Sequence, residues 1–563
     1  PTSTALDERR PVTPAELIVL VAVVLAAFVA RLWAFGSAGM GHFDEGVYAI
    51  SASGLLEAPY TLFPGQINFS PPFYFTSIGV ASRLFGGEPD RVAVLLNIVF
   101  GSATVLAVWW MGRLWFGARA GMVAAMMLAF DQFHILMSRV VLTDAAFAMW
   151  FVLSLAILTR AVDRRDIRLA VLAGLVVGLA WNTKYHGWFA LLITGVALVP
   201  ELWRERSTGA WRRPVVVWVT AAVVATVVYL PWAAYIRLYS GGGGYGSILS
   251  YYMTMLRIDW IGNVVMQARQ QVFLEGLLSR IAPLLALAAG LLVRPAPAAA
   301  RVAWLALLLA AGALLVGLAG VAALLALAAL PTLLRTFDRF HSRVLLCWVG
   351  LWVVAAPVYH PYARLILPFT IATFLLSGLV IDRALGVLAV QGRRSSSLIA
   401  LAAAAVVAVL AGTLRDDVSD PWRPSRSLAQ VADSIAAHAT ANETIHVLGE
   451  PPLAYYLRRA GVSAPPRVSL DVLDTLTTDA FLVTGRYADV APPLRTRIAA
   501  LGHRLTTVTV LHFEPNDLRL LDDLRPEGAR RYRATPDSTF DLTLYRLAPA
   551  STGSVADETG ALP

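Results

Sequence analysis

Apolar runs about as long as a bilayer is thick recur along this chain, and between them almost every cation is an arginine. A helix that crosses a membrane needs about 20 apolar residues, with about 17 as the practical minimum. A chain that is 57% hydrophobic and only 15% charged over 563 residues cannot bury that much apolar surface in water, so it reads as a polytopic α-helical membrane protein. The net charge of +9 lies mainly in arginine clusters between the runs. That is the bias of cytoplasmic loops, and no nucleic-acid partner is expected. Cys347, the single cysteine, sits inside an apolar run, which rules out a disulfide framework. Lys184 is the only lysine, and so strong a preference for arginine fits a GC-rich bacterium.

The arginines set the topology. Asp7-Glu8-Arg9-Arg10 precede a first span at roughly 15–34 and place the N-terminus in the cytoplasm. The chain opens at Pro1, as a trimmed or processed start would. The first run lacks a small-residue cleavage site, so it reads as a retained helix. An outer loop follows at roughly 35–90, then a second span at roughly 91–112 and an inner turn with Arg113 and Arg119. The third span is expected to end near Met137, with Ser138–Asp144 as a tight outer turn. The fourth returns to Arg160, and the fifth and sixth are joined outside by Asn182-Thr183-Lys184-Tyr185-His186. A seventh span at roughly 214–233 leads to a second outer loop at roughly 234–276, and the eighth ends at Arg294. The apolar run 302–334, about 33 residues, is split into a hairpin near Gly317–Gly320, because one tilted helix would use only about 20–25 of them. Spans eleven and twelve flank Tyr359–Arg364, and a last one covers roughly 397–413. The sum is about thirteen spans, with each arginine cluster on the cytoplasmic side.

Residues 1–414 thus form a membrane domain, and the composition changes after Arg415. Asp416–Pro424 reads as a linker. From there to about 548, helical spacing at Leu428–His438 and Leu453–Arg459 alternates with strand-like runs at Thr444–Gly449, Ala480–Gly485 and Arg504–Leu511. This alternation predicts an extracytoplasmic α/β domain over 415–548 with a partly parallel sheet. The tail 549–563, rich in Ser, Thr, Gly and Asp, is expected to be disordered.

The candidate chemistry lies at outer helix ends. In the first outer loop, Phe43, Val47, Ile50 and Gly54 recur at helical spacing, with Asp44, Tyr48 and Ser51 one position along. A helix lying on the membrane surface would bury the first set and turn the second toward a cavity. Asp44 and Glu45 are then either a first-turn cap or a site. Asp144 begins a helix and invites the same two readings. Arg139, Lys184 and Arg364 are cations on that same outer face, in short loops otherwise poor in positive charge. Carboxylates that activate an acceptor, beside cations that hold a phosphate, suit group transfer from a phosphate leaving group.

Four motifs occur in a telling order: Asp44-Glu45 with Tyr48; Pro71-Pro72-Phe73-Tyr74; Arg139 through Asp144; and Tyr362-Ala363-Arg364-Leu365-Ile366-Leu367-Pro368. This order resembles the GT-C glycosyltransferases, in the branch of the protein O-mannosyltransferases and lipid A aminoarabinose transferases. The resemblance covers the whole membrane domain. It implies a GT-C fold and a bacterial inner (plasma) membrane enzyme. Such an enzyme moves a hexosyl or pentosyl group from a polyprenyl-phosphate donor to a hydroxyl on a glycan, lipid or protein, with inversion. By the same resemblance Asp44 is the general base, Asp144 the second catalytic acid and Glu45 a weaker candidate. Tyr48, Tyr74, Arg139, Lys184, Tyr251, Tyr362 and Arg364 are the substrate-binding candidates, Tyr251 from the second outer loop beside the glycine run 241–244.

Two positions depart from the aminoarabinose transferases. Ser70 stands where they carry a Lys that contacts the donor phosphate, and Val47 where they carry a basic residue. Phosphate neutralisation then falls to Arg139, Lys184 and Arg364, and the pattern argues against an aminoarabinose donor or a lipid A acceptor. No cofactor is expected. His42 beside Asp44 and Glu45 lacks metal-ligand spacing, although distant GT-C relatives use a divalent metal. The competing reading is a transporter or lipid-linked sugar flippase using the outer-face acids. Its sites would tend toward the membrane midplane, and these acids lie at helix ends.

Overall fold

The computed structural model describes residues 11–33, 35, 39–57, 70–239, 339–358, 363–390, 426–438, 443–465, 480–485, 498–513 and 540–549, with isolated positions 246, 250, 253, 262, 263 and 496. The membrane part contains α1 (Pro14–Leu32), α2 (Phe43–Glu57), α3 (Phe73–Phe85), α4 (Pro89–Phe116), α5 (Ala118–Ala129), α6 (Gln132–Met137), α7 (Asp144–Arg164), α8 (Ile167–Thr183), α9 (Phe189–Glu205), α10 (Arg212–Tyr239), α11 (Phe340–Ala355) and α12 (Leu367–Val390). Among the described residues, Pro14–Leu32, Pro89–Phe116, Asp144–Arg164, Tyr185–Arg204 and Arg212–Leu238 are long and apolar enough to cross a membrane. Shorter apolar helices cover Ala118–Ala129, Ile167–Thr183, Phe340–Ala355 and Arg364–Leu379. The expected spans eight, nine, ten and thirteen, the linker and the tail from 550 lie outside the described residues.

Local chemistry sets the helix limits. Thr13 caps α1, its hydroxyl accepting from Glu16 N at 3.2 Å, with Pro14 in the first turn. Asp166 caps α8 by accepting from Arg168 N (2.8 Å) and Leu169 N (3.3 Å). Large apolar side chains at 216, 219, 223, 227 and 230 form an exposed stripe on α10, and Leu17, Ile18, Val21, Leu25 and Val29 do so on α1. Stripes of this length in water would be aggregation sites; in lipid they are the solvated face. On its inner side α10 meets α8 closely, because a Cβ at Gly174 or Gly178 would come within 2.6 or 2.5 Å of Val224 or Val228.

Ion pairs fasten one end of the bundle. Glu16 meets Arg113 at 2.9 Å, Arg165 meets Glu205 at 2.8 Å, His341 meets Asp163 at 2.6 Å, and Arg343 reaches Glu201. These are the arginines and acids of the turns expected to be cytoplasmic. The opposite end gathers the C-termini of α1 and α8, the start of α7, and the loops that carry α2 and α3.

Two expectations are corrected here. The third span is not continuous: α5 stops at Ala129, and Asp131 starts α6 by accepting from His134 N at 2.9 Å. Arg31, fully buried at the end of α1, causes this break. It donates from Nη1 to Ala129 O (3.1 Å) and from Nη2 to Leu128 O (3.3 Å), taking carbonyls that a continuing helix would use, while Nη2 reaches His134 Nδ1 at 2.7 Å. The helix carrying Asp44 is likewise not a surface helix with one buried face. Glu45, Val47, Tyr48, Ile50 and Ser51 are all buried, so α2 is enclosed on nearly every side.

What encloses α2 includes the C-terminal region. There α13 (Ser427–Ala436), β1 (Ile445–Leu448), α14 (Pro451–Arg459), β2 (Ala480–Thr484), β3 (Leu505–Phe513) and β4 (Phe540–Leu547) form a four-stranded sheet of order β1-β2-β4-β3 with two helices. β1 and β2 are parallel, with Ile445 opposite Phe481, and the other pairings are antiparallel. The parallel pair requires a crossover, and α14 lies on it. β4 was not among the expected strands, although Leu542 and Leu544 alternate with Asp541 and Thr543 in the pattern of a half-buried strand.

Arg31→Met is expected to lower the Tm of the detergent-solubilised protein markedly. It strands buried acceptors on Leu128, Ala129 and His134, each at a cost of about 1–3 kcal/mol. Thermal unfolding followed by fluorescence checks this, and a wild-type Tm would overturn it.

Candidate active site

Asp44 and Glu45 both sit in the first turn of α2, where the helix dipole favours negative charge. Neighbouring helical side chains point about 100° apart, and here that rotation separates two roles. Glu45 is 1% exposed. Its Oε2 accepts from Gly41 N and His42 N, both at 2.8 Å, and its Oε1 accepts from Val141 N at 2.9 Å. Burial raises its pKa above the usual glutamate value, while these three N–H donors and His42 pull it back down. Glu45 is therefore both the cap of α2 and the tie between this loop and the turn before α7. The Asp44 side chain is 25% exposed, and its Oδ2 accepts from Arg364 Nη2 at 2.7 Å. Arg364 lies in the short 3-10 turn Ala363–Ile366 that leads into α12. The Asp44 amide donates to His42 Nδ1 at 3.0 Å, so this histidine faces backbone.

A second acid–cation pair stands beside the first. Asp144, 2% exposed at the start of α7, accepts from Lys184 Nζ at 2.6 Å. Lys184 ends α8 and also lies 5.8 Å from the Phe147 ring centroid. The other Asp144 oxygen, Oδ2, is buried and has no hydrogen-bond partner among the described residues. A buried carboxylate oxygen without a donor is costly, and it is the natural acceptor for a ligand hydroxyl.

Tyr48 connects the pairs. Its phenol feels the charges of Asp44, Arg364 and Asp144, and Ser70 lies beside it. Burial, then Asp44, push its pKa well above the normal tyrosine value, so it is a neutral hydroxyl at physiological pH. Tyr74 packs edge-on against it with centroids 5.5 Å apart, and burial with Glu45 and Tyr48 raises its pKa in the same sense. The Tyr74 hydroxyl is 2.7 Å from Asn97 Nδ2, which also holds the carbonyls of Val140 and Leu142 (2.8 Å to the latter). Asn97 fixes the turn before Asp144, and a lone amide inside an apolar span was its sequence signal.

Asp44, Glu45, Tyr48, Tyr74, Asp144, Lys184 and Arg364 thus come to one end of the bundle. Arg139 lies nearby and donates to the Trp33 carbonyl at the end of α1. Tyr251 and Tyr362 fall outside the described residues, as do positions 241–244 of the glycine run. Val47, where the aminoarabinose transferases carry a cation, is buried at 2% exposure. Ser70, at the other departure, lies beside Tyr48. Among the described residues, no group of three His, Cys, Asp or Glu side chains has the geometry of a metal site.

Residues 66–240 match the family of dolichyl-phosphate-mannose-protein mannosyltransferases, a stretch that includes Tyr74, Arg139, Asp144 and Lys184 but not Asp44. Over 197 residues, 34% of this chain, the sequence is 28% identical to the undecaprenyl phosphate-alpha-4-amino-4-deoxy-L-arabinose arabinosyl transferase of Pseudomonas aeruginosa, and 29% identical to one from Pseudomonas fluorescens. The match spans 35% of each of those curated relatives. The fold is shared with ArnT from Cupriavidus metallidurans bound to undecaprenyl phosphate, at TM-score 0.56 and 17% identity over 94% of this chain and 97% of that one. It is shared also with the Archaeoglobus fulgidus oligosaccharyltransferase in complex with Zn and sulfate, at TM-score 0.54 and 16% identity over 83% and 68%. The chain resembles the GT-C glycosyltransferases of the mannosyltransferase and aminoarabinose transferase branch, and the fold is that of a helical GT-C membrane protein.

Glu45→Ala is expected to lower Tm more than Asp44→Ala, because it leaves three buried N–H groups without an acceptor, each costing about 1–3 kcal/mol. Thermal unfolding of the two purified variants checks the order, and the reverse order would remove the structural role from Glu45.

Proposed function

We propose that this protein is an inverting glycosyltransferase that moves a sugar from a polyprenyl-phosphate donor to a hydroxyl acceptor on the extracytoplasmic side of a bacterial plasma membrane. The observation that carries the reading is the convergence of two acid–cation pairs, Asp44–Arg364 and Asp144–Lys184, around one neutral phenol at one end of the bundle. The resemblance to transferases whose names specify polyprenyl-phosphate sugars supports the donor class. The side follows from charge. The site lies opposite the arginine-rich end, which the K/R bias assigns to the cytoplasm.

In this mechanism Asp44 takes the proton of the acceptor hydroxyl. The oxygen attacks the anomeric carbon from the face opposite the phosphate, the bond from that carbon to the phosphate oxygen breaks, and polyprenyl phosphate leaves with the electron pair. Only a carboxylate with access to ligand serves as base, which favours the partly exposed Asp44 over Glu45, whose oxygens are occupied. Arg364 is a fork of five N–H donors, so one guanidinium bridges the base and the donor phosphate. Lys184 supplies a second positive charge against the leaving group. Asp144 Oδ2 accepts from a hydroxyl of the sugar or acceptor, and Tyr48 and Tyr74 line the approach. The transporter reading is weaker, since the charged groups gather at helix ends and Asp44 and Asp144 are each already paired with a cation.

Asp44→Asn is expected to reduce transfer by about 10²–10⁴-fold with Tm unchanged, measured with a purified polyprenyl-phosphate sugar and an envelope acceptor fraction. Full activity of this variant would sink the assignment. Because Lys184 is the only lysine, reductive methylation read by mass spectrometry tests the phosphate site directly. Polyprenyl phosphate is expected to protect Lys184, and equal modification with and without the lipid would exclude it from donor binding.

A further inference from the structure

From the membrane domain, the Asp44 loop is held through Glu45, which accepts from Val141 N, and through Arg364, which meets Asp44. Glu45 also accepts from Gly41 N and His42 N within the loop, and further contacts reach Met40 and Gly46. Those contacts come from α14, more than 400 residues later in the chain. The Tyr456 hydroxyl accepts from Met40 N at 2.8 Å, four residues before Asp44. Gly46 packs directly on the start of α14, where a Cβ would lie 2.1 Å from Pro452 N and 2.3 Å from Pro451 C. No side chain fits there, so the glycine after Asp44-Glu45 is demanded by the C-terminal domain. A third fastening lies at the start of α4. The Tyr455 hydroxyl donates to Asp90 Oδ1 at 3.1 Å and accepts from Asp90 N at 3.4 Å, while Arg459 Nη1 reaches Asp90 Oδ2 at 3.3 Å. Arg459 also lies over the Tyr456 ring, 5.2 Å from its centroid, so the two fastenings share one residue.

From these contacts we infer that the C-terminal domain positions the base, and that Gly46, Asp90, Tyr455, Tyr456 and Arg459 are positioning residues of the reaction, with α14 setting where Asp44 stands relative to Arg364. None of the five meets the reacting atoms in this assignment. They act through the backbone that carries Asp44, between the Glu45 cap on one side and α14 on the other. A displacement of about 1 Å in a catalytic group costs about 10²-fold in rate, so this clamp bears on turnover although it lies outside the chemistry. A loosened base also changes what is deprotonated. Water in place of the acceptor attacks the anomeric carbon and gives free sugar and polyprenyl phosphate.

The inference rests on the proposed transferase reading for its kinetic arm only. The test uses the full chain in lipid nanodiscs with Tyr456→Phe, Arg459→Ala and Gly46→Ala. Tyr456→Phe removes one hydroxyl and is expected to lower the kcat for transfer about tenfold, as loss of a single buried hydrogen bond would. Donor KM should hold, Tm should fall slightly because Met40 N loses its buried acceptor, and the ratio of donor hydrolysis to transfer should rise. Gly46→Ala is expected to lose about 10²-fold. A merely structural role would reduce transfer and hydrolysis together and leave their ratio fixed. Hydrogen exchange supplies the arm independent of activity. Amides of residues 41–50 are expected to exchange faster in Tyr456→Phe and Arg459→Ala than in the parent protein. Wild-type kcat, ratio and exchange in both Tyr456→Phe and Arg459→Ala would overturn the inference. If the parent protein transfers no sugar from any polyprenyl phosphate, the transferase reading fails and the exchange result alone decides the clamp.

Discussion

A carboxylate taken out of water must be met by donors or it gives up its charge, and Glu45 is met by three backbone N–H groups from two separate segments. That requirement organises this end of the bundle. Two of the donors belong to the loop leaving α1, and the third belongs to the turn that launches α7. The same turn is held from beneath by Asn97, through the carbonyls of Val140 and Leu142. Arg31 then fixes the break between α5 and α6 by taking the carbonyls of Leu128 and Ala129. Buried polar groups in a low dielectric have few acceptable geometries, and these three residues together leave the loops little freedom.

Asp44 and Asp144 inherit their positions from that frame. Asp44 is the residue before Glu45 and is turned away from the cap, toward Arg364. Asp144 follows the turn that Glu45 and Asn97 hold, and it meets the only lysine of the chain. The two pairs are neutral without ligand. In the proposed reaction the donor phosphate meets both cations, with Arg364 bridging it and Asp44. Ser70 and Val47 fit this division. With a neutral Ser70 and a buried Val47 at those two positions, the positive charge comes from the start of α12 and the end of α8.

Much of the site was legible before any coordinates, for reasons that differ by residue. Asp44, Asp144, Lys184 and Arg364 stand out because charge at outer helix ends is conspicuous against apolar spans. The choice between cap and site for Asp44-Glu45 was not legible. Both residues satisfy a first-turn preference, and only the rotation of the helix against Val141 shows that Glu45 caps. The break at Asp131 was hidden because its cause, Arg31, lies about 100 residues earlier in the chain. The enclosure of α2 was hidden because its cover arrives from Pro451–Arg459. Asp90 and the Tyr455-Tyr456 pair carry no local signal, since each is an ordinary residue until the other is beside it.

The sequence by itself determined that this chain is rich in bilayer-length apolar helices and where its arginines cluster along the chain. Those properties follow from the length of apolar runs and the asymmetry of charge, both local and additive along the chain. Tertiary structure decided which carboxylate is capped, which is paired with a cation, and why a glycine follows Asp44-Glu45. Each of those depends on a single partner brought in from far along the chain, within about 3 Å and in one orientation. A hydrogen bond selects its partner by geometry, and a linear pattern contains no geometry of that kind.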